Sequence, residues 1–122
     1  HLFSSSLSHR KGASIFLPCS SGVDIKTLNR KTHPKLQDKI DLQKIVNKSA
    51  LEIWNIKEAC YKALQKQPST LKSIYINKNH FLCADEQGRF TQIMFQNKYL
   101  LSIACLEDFS YILDDLIIQT IT

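Results

Sequence analysis

Residues 50–65 have the spacing of an amphipathic helix, and this helix most constrains what the chain can fold into. At 100° per residue its apolar side chains form one stripe. The stripe consists of Ile53, Ile56, Cys60, Ala63 and Leu64. Ser49 is the predicted N-cap with Glu52 at the capping-box position, and the helix must stop before Pro68. Such a stripe needs a second apolar surface to pack against.

The remaining sequence is rich in short strand signals, which can supply that surface. The predicted strands cover residues 14–19, 23–28, 73–76, 81–84, 90–95 and 99–106. Residues 35–47 have a weaker helical spacing, and residues 109–121 fit either a strand or a helix. We therefore predict an α+β fold in which a small antiparallel sheet packs against one long helix, with one or two shorter helices. The length of 122 residues predicts a single domain over residues 1–122.

Composition and cysteine spacing exclude several classes of protein. The apolar fraction is 43% and the charged fraction 22%, as in ordinary globular domains rather than disordered chains. No apolar run approaches the ~20 residues that a membrane span needs, so no membrane partner is predicted. The four cysteines form no C-x-x-C pair, which argues against a zinc site or a redox motif. We interpret them as reduced core residues of a cytoplasmic protein.

The net charge of +5 is unevenly distributed. Residues 1–50 contain nine basic and three acidic residues, whereas residues 51–122 contain seven and eight. A positive region of this kind attracts nucleic acid, phosphorylated ligands or an acidic protein, although a solvated helix face is an equally simple interpretation. Residues 26–48 contain no aromatic side chain on which a base could stack, so we do not predict a nucleic-acid partner.

The face of the predicted helix opposite the apolar stripe is polar, apart from one aromatic ring. This face holds Leu51, Trp54, Asn55, Glu58, Lys62 and Gln65. Glu58 and Lys62 are spaced i, i+4, which fits either a solvated ion pair or a pair with a function. A tryptophan on such a face needs a cover, so we expect another lobe, another subunit or a ligand there.

Three motifs in this order carry a resemblance to a known family. Residues 54–64 (WNIKEACYKAL) resemble the W-x-x-K-E-A/S-x-x-K-A-L signature of the 4′-phosphopantetheinyl transferases. Residues 22–25 (GVDI) resemble the G-[IV]-D-I strand of that family, and residues 6–9 (SLSH) resemble its S-x-S-H segment. By motif, the resemblance covers residues 6–64.

The resemblance implies a reaction, a metal and a set of residues. Members transfer the 4′-phosphopantetheine arm of coenzyme A to a serine of an acyl or peptidyl carrier protein, in fatty acid, polyketide or peptide biosynthesis. By resemblance, Asp24 and Glu58 would hold Mg²⁺, and Glu58 and Lys62 would act in catalysis. Ser8, His9 and Lys62 would bind coenzyme A. Carrier domains are typically acidic, so the basic stretch at residues 26–48 would suit docking.

Two departures from the family pattern shape these expectations. Lys26 stands where the family often has a second carboxylate; it is either a decayed ligand position or, as we favour, a contact to a phosphate of coenzyme A. The chain has the length of one lobe, and its S-x-S-H segment resembles the start of the second lobe of a two-lobed enzyme. We therefore expect a missing first lobe or self-association. A catalytically weak relative that binds coenzyme A or a carrier protein is the alternative function.

Overall fold

The computed structural model of the protein describes residues 3–8, 11–16, 20–28, 48–106 and 120–121. Eight strands and one α-helix lie in these ranges. The strands are β1 (Phe3–Ser8), β2 (Lys11–Phe16), β3 (Ser21–Thr27), β4 (Tyr75–Asn77), β5 (His80–Cys83), β6 (Glu86–Phe95), β7 (Tyr99–Leu106) and β8 (Thr120–Ile121). The helix is α1 (Ala50–Ala63), and a short 3-10 helix (Leu71–Ser73) follows it.

Five strands form one antiparallel sheet in the order β3-β7-β6-β5-β4. Its longest strands are the β6–β7 hairpin, joined by a turn in which Gln96 and Asn97 have positive φ. β3 pairs with the outer side of β7 along its whole length, from Ser21 opposite Cys105 to Thr27 opposite Tyr99. A second sheet has the order β1-β2-β8 and is also antiparallel.

α1 begins where the sequence predicts and ends at Ala63, two residues before the predicted end. The Ser49 side chain accepts a hydrogen bond from the amide of Glu52, and the Glu52 carboxylate accepts one from the amide of Ser49, so the predicted capping box is present. Leu64 closes the C-terminus with an extended backbone. Within the described residues, no helix is both long and apolar enough to cross a membrane.

The five-stranded sheet is covered on both faces. On one face the predicted apolar stripe of α1 packs against side chains of β4 to β7, and this cluster includes Ile56, Cys60, Leu64, Ile76, Phe81, Phe90 and Ala104. On the other face Ala13 of β2 joins a cluster with Val23, Ile25, Leu101, Ile103 and Cys105. Cys60, Cys83 and Cys105 are buried and form no disulfide, as predicted, and Cys19 lies outside the described residues.

The α+β prediction is confirmed, with differences at the ends of the chain. β1 was not predicted, because a serine-rich segment has little strand propensity, and β2 begins three residues before the predicted strand. β7 matches its predicted range. Each end of β3, β4, β5 and β6 lies within four residues of the predicted end. The predicted helix at 35–47 lies outside the described residues, as do all but the last two residues of 109–121.

Candidate functional site

Four charged side chains meet where α1 crosses β3. The Lys26 ammonium lies 3.2 Å from Asp24 Oδ2 and 3.5 Å from Glu58 Oε1. The Lys62 ammonium lies 3.7 Å from Asp24 Oδ1. Glu58 and Lys62 therefore each pair with a residue of β3, and the formal charges of the four groups cancel. We call these four residues the charged cluster.

The members of the charged cluster differ sharply in their access to solvent. The side chains of Asp24 and Lys26 are 3% and 8% exposed, whereas those of Glu58 and Lys62 are each 30% exposed. The side chains of Asp24 and Lys26 are thus buried inside the fold. Glu58 and Lys62 form the accessible side of the cluster, where a bound molecule can touch them.

Simple periodicities bring these residues together. Asp24 and Lys26 are two apart on a strand, so both point to the sheet face that carries α1. Glu58 and Lys62 are one turn apart on the helix, so they lie on one side of it. The sequence separates Asp24 from Glu58 by 34 positions, and only the packing of α1 on β3 makes them neighbours.

Gly22 allows that packing to be close. A Cβ atom at this position would overlap the carbonyl oxygen of Ala59 and would lie 2.7 Å from the Cβ of Lys62. Real Cβ atoms do not approach other atoms so closely, so the helix backbone can rest on the strand only where the strand has no side chain. The glycine of the G-V-D-I motif therefore has a packing role beside Asp24.

Asn55 holds the buried end of the charged cluster, and the sequence did not single it out. Its amide nitrogen donates to Asp24 Oδ2 at 2.9 Å and to the Asp24 carbonyl at 3.0 Å. Its amide oxygen accepts from the Gln92 amide at 3.0 Å and from the Ser102 hydroxyl. Asn55 has no exposed surface. Asn55 lies three residues before Glu58 and seven before Lys62, and these positions share one helix face. That spacing could have marked Asn55 as a neighbour of the charged residues.

Two serines of β1 close the outer edge of β3. Ser4 Oγ accepts from the amide of Val23 at 3.0 Å, and Ser6 Oγ accepts from the amide of Ile25 at 3.1 Å. The Ser6 hydroxyl also lies 3.3 Å from Asp24 Oδ1, as a donor to it. Ser6 is the first residue of the S-x-S-H segment, so this segment reaches the charged cluster through a serine for which the sequence predicted no role.

Lys62 is also anchored by backbone oxygens. Its ammonium donates to the carbonyl of Val23 at 3.0 Å and to the carbonyl of Ser5 at 3.2 Å. These contacts join α1, β3 and β1 at one point. The ammonium is therefore held in place before any ligand binds, which lowers the entropy that is lost on binding.

Trp54 is partly covered by the cluster itself. The Lys26 ammonium lies 4.0 Å from the centre of the indole ring, a distance typical of a cation–π contact. The helix face for which the sequence predicts another lobe, a subunit or a ligand is thus covered in part by β3 of the same chain, because Lys26 lies over Trp54 and Asp24 bonds to Asn55. The expectation of a missing lobe or of self-association stays a prediction.

Burial dominates the electrostatics of Asp24. Loss of solvent raises the pKa of this carboxyl above its ordinary value of 3.8, while Lys26, the Asn55 amide and Lys62 act against the rise and Glu58 adds to it. The negative charge of Asp24 therefore depends on its immediate partners. Removing one of them leaves a buried carboxylate poorly compensated.

The charged cluster does not fit a magnesium ion in this arrangement. Two carboxylates are suitable ligands, and Mg²⁺ binds oxygen at about 2.1 Å. A magnesium ion on Asp24 Oδ2 would therefore lie within about 5.3 Å of the Lys26 ammonium. At an effective dielectric of ~20 the repulsion would be roughly 6 kcal/mol, reduced by solvent. Among the described residues no group of three or more His, Cys, Asp or Glu side chains is placed to hold a metal.

The other predicted residues are placed as follows. Ser8 is the last residue of β1 and pairs with Lys11, and His9 lies outside the described residues. Of the basic stretch at 26–48, the described residues include Lys26 and Lys48; the Lys48 ammonium donates to Gln92 Oε1 at 3.2 Å. Lys57, the residue before Glu58 on α1, has no exposed surface.

Comparison with known proteins adds no family assignment. No protein-family model matches the chain, and no curated protein matches it either. The family resemblance therefore depends on the three short motifs and on the way in which the fold brings their residues together.

Proposed function

We propose that the protein transfers the 4′-phosphopantetheine arm of coenzyme A to a serine of an acyl or peptidyl carrier protein. One observation carries this proposal: Glu58 and Lys62 are the accessible members of a cluster whose other two members are buried. The G-V-D-I strand and the W-x-x-K-E-A helix thus meet at their charged residues. Ser6, from the third motif, contacts the same cluster.

The two accessible residues have the chemistry that the transfer requires. In the reaction the carrier serine oxygen forms a bond to the β-phosphorus of coenzyme A, and the phosphoanhydride bond to adenosine 3′,5′-bisphosphate breaks. The serine proton passes to a base, for which Glu58 is the accessible carboxylate of the cluster. The Lys62 ammonium, held by two carbonyls, can stabilise the charge that develops on the phosphate oxygens.

Asp24 and Asn55 act as positioning residues in this proposal. Asp24 is buried and reaches Lys62 and Lys26 rather than a substrate. Asn55 fixes the Asp24 carboxylate through its amide. The resemblance implies that Mg²⁺ takes part, whereas Lys26 argues against it, so we derive no step through a metal. We further propose a cytoplasmic location and an acidic carrier domain as partner, the latter because the net charge is +5.

The direct test is a transfer assay with the full chain. The protein is incubated with coenzyme A and an apo carrier protein, and the carrier is weighed by mass spectrometry. We expect the carrier to gain the mass of one phosphopantetheine arm. A carrier whose acceptor serine is replaced by alanine is the control. If a panel of acyl and peptidyl carriers shows no gain under any condition, with and without Mg²⁺, the proposal is wrong.

Variants test whether Glu58 and Lys62 are responsible. Glu58→Gln and Lys62→Met should each abolish most of the transfer. Glu58→Gln should hardly change the free energy of unfolding, because a solvent-accessible ion pair contributes about 0–1 kcal/mol. The matched controls are Asp85→Asn and Lys66→Met, which change exposed residues elsewhere and should keep full activity. If Glu58→Gln keeps full transfer activity but has a lower free energy of unfolding, Glu58 and Lys62 have only a structural role.

The alternative function is binding without transfer. It is favoured by the ion pair between Lys26 and Glu58, because the Lys26 ammonium occupies a carboxylate oxygen that would otherwise accept the serine proton. A chain of this kind would bind coenzyme A or the carrier protein and leave the mass of the carrier unchanged. Calorimetric titration with coenzyme A, carried out beside the transfer assay, separates the two functions.

A further inference from the structure

The Lys26 ammonium has the surroundings of a bound cation rather than those of a surface lysine. It lies within 3.5 Å of two carboxylates, Asp24 and Glu58, and 4.0 Å from the centre of the Trp54 ring. Asp24 Oδ1, at 3.3 Å, is a further acceptor. The residue is buried, so these contacts replace the water that normally surrounds an ammonium group.

The ammonium joins the same two groups that a divalent ion would have to join. Asp24 comes from β3 and Glu58 from α1, and Lys26 is the positive group that contacts both carboxylates. With Lys62 also on Asp24, the carboxylates have no excess negative charge with which to attract a metal. The indole ring on the third side adds a favourable surface for an ammonium.

We propose that Lys26 is the resident cation of this site, so that its ammonium replaces a divalent metal between Asp24 and Glu58 and the wild-type site binds no divalent ion. As a statement about cation binding this does not depend on any activity. As a statement about catalysis it rests on the proposed function, for which it means that transfer proceeds without Mg²⁺. Removing the ammonium should uncover a site that the fold already contains.

The test uses Mn²⁺ as the probe. The electron paramagnetic resonance signal of free Mn²⁺ weakens when the ion binds to protein, so the loss of signal measures binding. Wild-type protein should leave this resonance unchanged. Lys26→Ala should reduce it, since Asp24 and Glu58 then face each other with one ammonium fewer. Lys26→Arg, which keeps the charge, should leave the resonance unchanged. The double variant Lys26→Ala with Asp24→Asn should lose the binding that Lys26→Ala gains.

Each result supports or overturns the proposal. Uptake of Mn²⁺ by the wild type that Asp24→Asn abolishes would overturn it. Absence of uptake by a folded Lys26→Ala variant would also overturn it, because no cation position would then exist between the carboxylates. If Lys26→Ala does not fold, as judged by circular dichroism, the experiment is repeated with Lys26→Met, whose side chain fills the same space without a charge. Lys66→Ala, at an exposed position, is the matched control and should behave as the wild type.

The transfer assay is then repeated with a chelator in place of Mg²⁺. Full activity without metal supports the proposal in its catalytic sense, and activity that requires Mg²⁺ overturns it in that sense. If no transfer occurs with or without metal, the proposed function fails while the Mn²⁺ result still decides the role of Lys26. The two failures are therefore distinguishable.

Discussion

At the scale of single residues, Asn55 does more for the charged cluster than the sequence suggests. Its side chain makes five hydrogen bonds to four other residues, Asp24, Gln92, Leu100 and Ser102, without any exposed surface of its own. Buried networks of this kind stabilise a structure only while every member keeps its partners. The side-chain amide of Asn55 is the shared partner here, so its loss affects all four of these residues at once.

We therefore expect Asn55→Ala to lower the free energy of unfolding by about 2–4 kcal/mol, because it leaves buried polar groups without partners. Denaturation in urea measures this change. Gln65→Ala, at an exposed position just after α1, is the control and should change stability by less than about 0.5 kcal/mol. A loss for Asn55→Ala as small as that of the control would mean that water replaces the amide at no cost.

The raised pKa of Asp24 predicts a defined pH dependence of stability. A folded state that raises the pKa of a carboxyl above 3.8 binds the proton more tightly than the unfolded chain does. The contribution of Asp24 is therefore most favourable below that ordinary value. It declines as the pH rises through the raised pKa of the folded state, and it is constant at higher pH.

Asp24→Asn isolates this contribution, because its side chain does not titrate while the other carboxyls of the chain are unchanged. The wild type minus variant difference in unfolding free energy should fall as the pH rises from about 3.8. Lys26, Lys62 and Glu58 are the charged groups that face Asp24. A difference that grows with pH would mean that pairing with the lysines outweighs burial.

At the scale of elements, the position of α1 on β3 decides whether the cluster forms at all. The strand supplies two charges and the helix two more, and Gly22 sets how closely their backbones approach. Periodicity predicted which side chains share a face on each element. It did not predict how α1 is placed against β3, since the contact between Asp24 and Asn55 depends on tertiary packing rather than on local spacing.

Gly22→Ala tests this arrangement. The added methyl group would overlap the backbone of α1 at Ala59, so we expect the helix to shift and the free energy of unfolding to fall by about 1–3 kcal/mol. Thermal or urea denaturation measures the loss. Ser14→Ala, at an exposed position of β2, adds no atoms near α1 and should be nearly neutral. Unchanged stability for Gly22→Ala would show that the two elements are less tightly packed than the structure indicates.

At the scale of the whole molecule, the α+β class, α1 and the course of β3 to β7 were predictable because each has a clear period and clear end signals. Ser49 and Glu52 mark the start of the helix, and polar turns separate the later strands. The second sheet was not predictable from residues 3–8, because serines do not favour strands. The position of these serines is fixed by β3, because their hydroxyl oxygens accept hydrogen bonds from its outward-facing amides.

The candidate site was predictable in part for the same reasons. Strand alternation places Asp24 and Lys26 on one strand face, the helical period places Glu58 and Lys62 on one helix face, and all four meet in the structure. The sequence allowed Lys26 to be a decayed ligand or a phosphate contact. In the structure its ammonium lies between the carboxylates of Asp24 and Glu58, because β3 is buried beneath α1, and a contact to a phosphate of coenzyme A stays a prediction. Roles for Ser8 and His9 stay predictions.

The hydroxyls of Ser4 and Ser6 also bear on how this sheet can meet other molecules. A sheet whose edge has free amides can be extended by any chain that lies alongside it, which is how strand swapping and fibril growth begin. Along β3 the amides of Val23 and Ile25 are already occupied by serine oxygens. At the opposite edge β4 has only three residues. Among the described residues, an extended peptide therefore finds little main chain to pair with at either edge of this sheet, which favours recognition of a partner through side chains.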